Sequence, residues 1–335
     1  MRKISNLNFN KKNILITGGA GFIGSNLAFY FQKNYPNANI VIFDCFRSGE
    51  TFDNGNLKSF GHYKNLIGFT GDIICGNINN SDEIKLLNDY KFDYIFHQAA
   101  ISDTRVSNQE IVMQTNVNSF YSFLEMARRD NSVLIYASSA ATYGSSSAPQ
   151  RVGFEDPENP YGYSKYSMDQ IAHRFSIQHP DLLVVGLRFF NVYGPGEFYK
   201  MKTSSMVIQL GHQILSSKNP RLFEGSSNIL RDFVYIEDVV QANIKACQSK
   251  ISGAFNVGFG ESRSFQNIAE ILLNELNSDL KIEYFPNPYD GYQMNTCADI
   301  SLSQDNFNYS PEFDLESGIR KYIQYISDTF SKTAN

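Results

Sequence analysis

The residues that decide the fold are Asn13-Ile14-Leu15-Ile16-Thr17-Gly18-Gly19-Ala20-Gly21-Phe22-Ile23-Gly24. The first five form a short apolar run after two lysines and read as a buried strand. Glycines follow at once. Then Ile23, Leu27, Tyr30 and Phe31 recur at i, i+4, i+7 and i+8, one face of a helix. A glycine turn set between a strand and a helix is the context in which such a motif cradles a pyrophosphate. Gly18 permits the tight turn, Gly21 lets the backbone approach the anion, and Gly24 lets the helix pack closely. The helix start offers free N–H groups and the positive end of its dipole. The spacing is G-x-x-G-x-x-G rather than G-x-G-x-x-G, and a purely structural turn is the competing reading.

Working outward, Ile40 to Asp44 is a second strand, ending in an acid about 20 residues past the turn, where a ribose-binding carboxylate is expected. Asp44 alone favours NAD, whereas Arg47 could hold a 2′-phosphate, so the residues leave NADP and NAD both open. A polar loop spans Asp53 to Lys64, and Leu66-Ile67-Gly68-Phe69 reads as a third strand. Asp72-Ile73 and Asn77-Ile78 are candidates for the adenine edge. Phe92 to His97 reads as a fourth strand, followed by Gln98-Ala99-Ala100, small enough to run beneath a flat cofactor. His97 is expected to be packed or hydrogen-bonded rather than catalytic. Asn108 to Arg129 is patterned as a helix, with Asn116 on its apolar stripe and in need of a partner. Val133 to Ala137 is a fifth strand, ending at Ser138-Ser139. The pattern predicts an α/β fold, a Rossmann-type doubly wound parallel sheet. Ligands of such sheets bind at the carboxyl ends of the strands, where Gly21, Ala99, Ser138 and Ser139 would converge.

Asn159-Pro160-Tyr161-Gly162-Tyr163-Ser164-Lys165 opens a helix that continues through Met168, Ile171 and Phe175. Tyr161 and Lys165 stand four apart and share a face. A tyrosine with pKa near ~10 is a poor base at neutral pH, and a neighbouring ammonium favours the phenolate. Tyr163 is out of phase and the weaker candidate. With 20 tyrosines in the chain, a chance Tyr-x-x-x-Lys match is the plain alternative.

Length and composition bound the rest. The 335 residues suggest two domains, or one large domain with a satellite. A formal net charge of −5 argues against nucleic-acid or membrane-surface partners. Cys45, Cys75, Cys247 and Cys297 are scattered, without the spacing of a metal site or a disulfide framework. The polar N-terminus lacks an apolar signal core. A cytoplasmic protein with a small-molecule substrate, assembled as a homo-oligomer, is the expectation.

In the second half, Leu182 to Leu187 reads as a sixth strand and Phe255 to Gly258 as a return strand. A glycine-, lysine- and serine-containing stretch from Gly196 to Ser205 suggests a functional loop, and Ile282 to Tyr284 a strand in a small cap. Lys200 and Arg231 are candidate phosphate partners, against the ordinary reading of surface charge. The expected division is residues 1–187, with return segments near 232–258, for the cofactor, and 188–231 with 259–335 for the substrate.

Four motifs in this order, TGGAGFIG at 17–24, HQAA at 97–100, YASSAATYG at 136–144 and PYGYSK at 160–165, resemble the extended short-chain dehydrogenase/reductase family. The resemblance implies a permanently held nicotinamide cofactor and a catalytic set of Ser139, Tyr161 and Lys165, with Ser138 ranked behind Ser139. Tyr161 would take the hydroxyl proton while hydride leaves to the nicotinamide. Lys165 would lower its pKa and bind the ribose, and Ser139 would hydrogen-bond the reacting oxygen.

From Asn13 to about Tyr325 the chain further resembles the branch that inverts C6″ of ADP-D-glycero-D-manno-heptose, giving the L-glycero form used in the inner core of lipopolysaccharide. The carrying stretches are RFFNVYGPGEFYK at 188–200, RLFEGS at 221–226, RDFVYIEDV at 231–239 and DGYQ at 290–293. That branch implies tightly bound NADP and an oxidation followed by re-reduction, with one acid/base group on each side, here Tyr161 and Lys200. Carried over position by position, the cofactor contacts are Gly18, Gly21, Phe22, Ile23, Gly24, Asp44, Arg47, Asn77, Ile78, Gln98, Ala99, Ala100, Ser102, Asn116, Lys165 and Val192. The substrate contacts are Asn191, Lys202, Gln209, Phe223, Glu224, Gly225, Ser226, Arg231 and Tyr292. The chain departs from the pattern at several positions. Asn77 stands where the wider family has an acid at the adenine, unless Asp72 takes that role. Thr51 stands where a phosphate-binding lysine is expected, and Lys202 and Gln209 replace a serine and a histidine.

Rival readings are an epimerase acting at C4 of a UDP-sugar, which would not need Lys200, and a non-catalytic nucleotide sensor on the same fold. A 4,6-dehydratase would carry acids beside the serine, where this chain has Ala140 and Ala141.

Overall fold

The structure, a computed structural model, describes residues 7–287 and 293–333. Among the described residues the strands are β1 (Asn13–Thr17), β2 (Asn39–Asp44), β3 (Asp72–Cys75), β4 (Tyr94–His97), β5 (Val133–Ser139), β6 (Val184–Phe189), β7 (Asn191–Tyr193), β8 (Arg221–Phe223), β9 (Leu230–Tyr235), β10 (Gly253–Val257), β11 (Ser262–Ser264) and β12 (Glu283–Phe285). The α-helices are α1 (Phe22–Asn34), α2 (Ser81–Ile84), α3 (Gln109–Met113), α4 (Ser119–Asp130), α5 (Pro160–Gln178), α6 (Met206–Leu215), α7 (Ile236–Ala246), α8 (Phe265–Glu275), α9 (Ser301–Phe307) and α10 (Leu315–Thr333).

Seven strands pair in parallel in the order β3-β2-β1-β4-β5-β6-β10. The period-two alternation of β1 explains the layers. Ile14 and Ile16 enter one apolar cluster with Leu27 and Phe31 of α1 and Val239 of α7. Leu15, between them, enters a second cluster with Phe120 and Leu124 of α4 and Ile171 and Phe175 of α5. A strand covered on both faces must be apolar throughout, as β1 is. Each such side chain contributes roughly 1.5–3 kcal/mol on burial. The strand order reverses between β1 and β4, and the crevice at their carboxyl ends is where doubly wound sheets bind ligands.

Three expectations are corrected. The third strand is Asp72–Cys75, paired with β2, and not residues 66–69. Tyr63–Leu66 form a 3₁₀ turn, Ile67 is exposed, and Gly68 takes φ +88°. A positive φ does not fit a strand, and β3, at the edge of the sheet, is held by backbone pairing rather than by an apolar pattern. The helix expected over 108–129 is interrupted by a π-helical turn at Gln114–Asn118, which carries Asn116. The sixth strand runs two residues further than expected, to Phe189.

β10 joins the far edge of the large sheet beside β6, as the return strand predicts. Two smaller sheets, β11-β9-β7 and β12-β8, follow from the second half of the chain. Ile208 of α6, Leu272 of α8 and Ile326 of α10 are buried in the same cluster as Ile14, so the apolar core is continuous between the large sheet and these helices. Among the described residues no helix is long and apolar enough to cross a membrane.

Candidate active site

The glycine turn closes over the β1/β4 crevice. Gly18 has φ +68°, and a Cβ there would stand 2.8 Å from the Ala99 backbone nitrogen. A Cβ on Gly24 would stand 2.2 Å from the Gly18 carbonyl oxygen, so only glycine lets α1 start this close to the turn. Gly21 caps α1 without a side-chain hydrogen bond, and no acid occupies its first turn. The helix start therefore presents uncapped N–H groups and no competing negative charge, which suits a pyrophosphate. Asp44 lies beneath the turn and braces it: its carboxylate accepts from Ala20 N at 2.9 Å and Phe46 N at 2.7 Å. Burial pushes its pKa up. Arg47 donates from Nη2 to the Tyr199 carbonyl, and its buried Nε has no partner. The His62 ring stacks on Tyr199 at 4.0 Å between centroids, next to this guanidinium. These residues fit a nicotinamide dinucleotide, with the turn for its pyrophosphate and an unpaired cationic N–H near the end of β2.

Asn159 explains where α5 begins. Its side chain accepts from Gly162 N at 2.9 Å, and Pro160 occupies the first helical position. Gly162 packs on the turn after β5, where a Cβ would come within 2.3 Å of the Ala141 carbonyl oxygen. That contact brings Tyr161 to Ser139. Tyr161 and Lys165 are buried, whereas Tyr163 is 52% exposed, as their helical phase predicts. Ser139 Oγ accepts from Ala141 N at 3.1 Å. Burial raises the Tyr161 pKa, and its hydrogen bond with Ser139 pulls it back. Burial lowers the Lys165 pKa to about 8, opposed by the Asp169 charge. The expected lowering of the Tyr161 pKa by Lys165 is not what the protein alone produces. Lys165 Nζ donates to the Ala137 carbonyl at 2.7 Å and lies 5.9 Å from the Tyr161 ring centroid. Ser138 turns away, donating to Asp169 Oδ2 at 3.0 Å.

Beneath these groups lies a buried network that the sequence reading did not single out. Asp169 follows Lys165 by one helical turn. Its carboxylate accepts from Tyr136 OH at 2.8 Å, from Ser138 and from Arg188 Nε at 2.9 Å. Arg188 also donates to Tyr143 OH at 2.9 Å and to Glu155, and Tyr143 donates to Asn256. Arg188 is 2% exposed. Its charge is matched by two carboxylates, the condition for keeping an ion pair in the interior. The signal in the sequence was an arginine inside an otherwise apolar strand.

Around the crevice, Asn116 finds the partners it needs. It accepts from Ile101 N at 2.8 Å and donates to the Ile101 carbonyl and to Ser164 Oγ. His97 hydrogen-bonds Thr17 at 2.8 Å and stacks on Phe123, a packed residue as expected. Gln98 donates to Asn243, leaving a buried, unpartnered Oε1. Ala99 N donates to Thr17 Oγ1. Asn77 and Ser102 are exposed, and the Asn77 side chain accepts from Asn79 N. Ile78 is buried.

Lys200 lies on the turn Phe198–Thr203, with Nζ 5.8 Å from the ring centroid of Phe22 at the start of α1. Asn26 of α1 donates to the Pro195 carbonyl at 2.8 Å, and Asn65 donates to that of Gly196. The loop is thus seated over the helix that carries the glycine turn. Burial lowers the Lys200 pKa, and Glu197 and Asp103 oppose that shift. Lys202 is exposed, and the Gln209 amide donates to the Ser204 carbonyl at 2.7 Å, bracing the same loop.

The proposed substrate contacts fall on neighbouring elements. Asn191 and Val192 lie on β7, which pairs with β9. Arg231 of β9 stands over the Phe265 ring at 5.9 Å. Phe223 ends β8, Gly225 takes φ +75°, and Ser226 is buried with no partner for its hydroxyl. Glu224 is exposed. Tyr292 lies outside the described residues. Gln293 donates to the Gly144 carbonyl, which places residue 293 beside the segment that follows Ser139.

The model of the NAD dependent epimerase/dehydratase family matches residues 14–258. The chain is 34% identical over 324 residues, 93% of its length and 97% of the relative's, to ADP-L-glycero-D-manno-heptose-6-epimerase of Brachyspira hyodysenteriae. The crystal structure of the Helicobacter pylori enzyme of that name superposes with a TM-score of 0.89 at 48% identity, covering 97% of this chain and 99% of that one. UDP-glucose 4-epimerase from Thermotoga maritima superposes with a TM-score of 0.84 at 25% identity, covering 95% and 99%.

Proposed function

The chain belongs to the NAD dependent epimerase/dehydratase family, and we propose that it inverts C6″ of ADP-D-glycero-D-manno-heptose to give the L-glycero epimer, a step toward the inner-core heptose of lipopolysaccharide. Similarity to two epimerases of that name along nearly the whole chain supports this activity. The structural observation that carries it is a second, half-buried amine, Lys200, on a loop separate from the Tyr161 helix. Inversion exchanges the proton of the reacting hydroxyl on both sides of the centre, and where the substrate does not turn within the site that takes a group on each side.

When bound, the nicotinamide supplies a reversible hydride acceptor. The remaining work falls to the chain. In this reading Tyr161 exchanges the hydroxyl proton on one side and Lys200 on the other, each with its ionisation shifted by burial. Ser139 donates to the reacting oxygen and orients Tyr161. Lys165, held to the strand end by Ala137, supplies a cation at the ribose. The uncapped start of α1 holds the pyrophosphate. Phe223, Ser226 and Arg231 hold the nucleotide part of the substrate, and the buried, unpartnered Ser226 hydroxyl supports a polar ligand group there.

For the cofactor we infer NADP. The Asp44 carboxylate is already engaged by the backbone, while Arg47 keeps an unpaired cationic N–H. An arginine suits a 2′-phosphate through charge-assisted hydrogen bonds. In this reading residues 1–187 with the segment near 232–258 hold the cofactor, and 188–231 with 259–335 hold the substrate.

The test is incubation with ADP-D-glycero-D-manno-heptose beside a parallel incubation with UDP-glucose, with product configuration read by NMR. Inversion at C6″ of the heptose alone is the expected result. Inversion at C4 of UDP-glucose with an unchanged heptose would replace this reading with that of a UDP-sugar 4-epimerase.

A further inference from the structure

Glu197, the one carboxylate of the 194–205 loop, is buried at 0% exposure. A buried carboxylate is costly unless it is fully hydrogen-bonded or paired. This one is served from three places in the chain. It accepts from Gly194 N at 3.0 Å, where the loop begins. It accepts from Ser205 N and from Ser205 Oγ at 2.8 Å, where the loop meets α6. It accepts from Tyr322 OH of α10 at 3.1 Å. Its own carbonyl accepts from Lys200 N at 2.9 Å.

Between these two anchored ends the backbone is strained. Met201, next to Lys200, has φ +56° and ψ −124°. A non-glycine residue in such a conformation costs about 1–3 kcal/mol and persists only where its surroundings over-determine it. Here Thr203 Oγ1 donates to the Lys200 carbonyl at 2.7 Å, and Ser204 donates through its N and Oγ to the Met201 carbonyl.

We propose that Glu197 is the positioning residue for Lys200: it staples both ends of the 194–205 loop and keeps a negative charge beside the Lys200 ammonium. The inference rests on the reading of Lys200 as the second acid/base group. The charges around Lys200 are Glu197 on its own loop and Asp103 from the segment after β4, with the Phe22 ring of α1 against its ammonium. Arg47, which donates to the Tyr199 carbonyl, is a further cation on the turn. Around Glu197 the titratable groups are Lys200 and, on α10, Tyr322 and Tyr325. Two anions hold the Lys200 charge against the pull of burial, and Glu197 is the one tied to loop geometry. Without its charge, Lys200 loses its proton at lower pH.

The experiment uses the holoenzyme and the variant Glu197→Gln. Competitive acetic anhydride labelling across pH, read by mass spectrometry, gives the Lys200 titration midpoint whether or not Lys200 takes part in turnover. The expected result is a fall of that midpoint, with the pH profile of kcat moving the same way. An unchanged midpoint overturns the proposal. Tyr322→Phe removes one hydrogen bond and keeps the charge, so it should leave the midpoint in place. A shift as large as that of Glu197→Gln would assign the effect to loop packing and overturn the charge role.

If Glu197→Gln does not fold, the reciprocal measurement decides. Lys200→Met must raise the Glu197 carboxyl midpoint, read by carbon-13 NMR, because coupling between two sites is mutual. No change there overturns the proposal. Full heptose turnover by Lys200→Ala would remove Lys200 from the chemistry while leaving the measured Glu197–Lys200 coupling intact, so the two failures are distinguishable.

Discussion

Lys165 Nζ donates to the Ala137 carbonyl at 2.7 Å and stands 5.9 Å from the Tyr161 ring centroid, whereas the Tyr161 phenol shares a hydrogen bond with Ser139. The ammonium is tied to the end of β5, and the phenol is tuned by the serine that follows it on the same strand. This pairing makes Ser139, rather than Lys165, the protein's own handle on the ionisation of Tyr161.

Tyr161→Phe is expected to lower kcat for epimerisation by roughly 10²–10⁴, the usual contribution of a positioned acid/base group, with cofactor still bound. Ser139→Ala removes the hydrogen bond that pulls the Tyr161 pKa down. If the phenolate is the working form, the acid limb of the kcat profile therefore moves to higher pH. A Ser139→Ala profile superimposable on that of the wild type would refute this coupling.

Lys165 also predicts a stability profile. Its folded pKa of about 8 lies below the ordinary 10.5. Between those values the unfolded chain binds more protons, so stability rises with pH. The drop of about 2.5 units corresponds to roughly 3 kcal/mol gained across that window. Urea melts of the wild type and Lys165→Met from pH 8 to 10.5 should diverge accordingly, the wild type gaining relative to the variant. Parallel curves would count against a buried, depressed lysine.

The Arg188–Asp169 pair is 2% and 6% exposed. Arg188→Met leaves the Asp169 and Glu155 carboxylates without their cation, and stability should fall by about 3–5 kcal/mol. Asp169→Asn in that background removes one stranded charge while keeping an amide for Tyr136 and Ser138. The double variant should therefore cost less than the sum of the singles by roughly 0.5–3 kcal/mol, measured by thermal unfolding as a double-mutant cycle. Strict additivity would mean the two side chains do not interact.

What the sequence made legible is local. The strand, glycine turn and helix of residues 13–34 are written in period and spacing, and so is the shared face of Tyr161 and Lys165. The third strand was not legible, because the apolar run at Leu66–Phe69 contains Gly68 at φ +88° while Asp72–Cys75 is only four residues long and pairs at the sheet edge with its side chains mostly exposed. Glu197 and Asp169 look like surface charges in the sequence, and of the buried network only Arg188, at an apolar strand, carries a local signal. They are interior because their partners arrive from elsewhere in the chain: Tyr322 lies 125 residues from Glu197, and Asn256 lies 113 from Tyr143. No window of sequence contains such a pair.

Arg47 separates the two cofactors. If its unpaired Nε and guanidinium charge receive a 2′-phosphate, Arg47→Ala should weaken NADP binding about 10- to 100-fold, the range for a lost charged hydrogen bond. NAD binding should stay within about twofold, since that ligand has no phosphate at the position. Titration of the cofactor-stripped protein with each dinucleotide measures both. Equal weakening of the two would assign Arg47 to packing the loop through Tyr199 and would return the cofactor preference to Asp44.

Lys200→Ala tests the two-group chemistry most directly. Lys200 sits over Phe22, on a loop pinned to α1 by Asn26 and to α10 through Glu197. Tyr161 approaches from α5, at the end of β5. If each serves one side of the inverted centre, removing the amine leaves Tyr161 able to exchange the proton of one epimer only. Conversion of ADP-D-glycero-D-manno-heptose should fall by about 10²–10⁴, while binding of the nucleotide sugar, which the proposed site assigns to Phe223, Ser226 and Arg231, should change little. A small primary amine added to Lys200→Ala should restore part of the rate, increasingly as pH rises through the pKa of the amine, because the free base is then available at the vacated position. Undiminished turnover by Lys200→Ala would leave Tyr161 as the sole acid/base group, and the substrate would then have to turn within the site for the phenol to reach both faces.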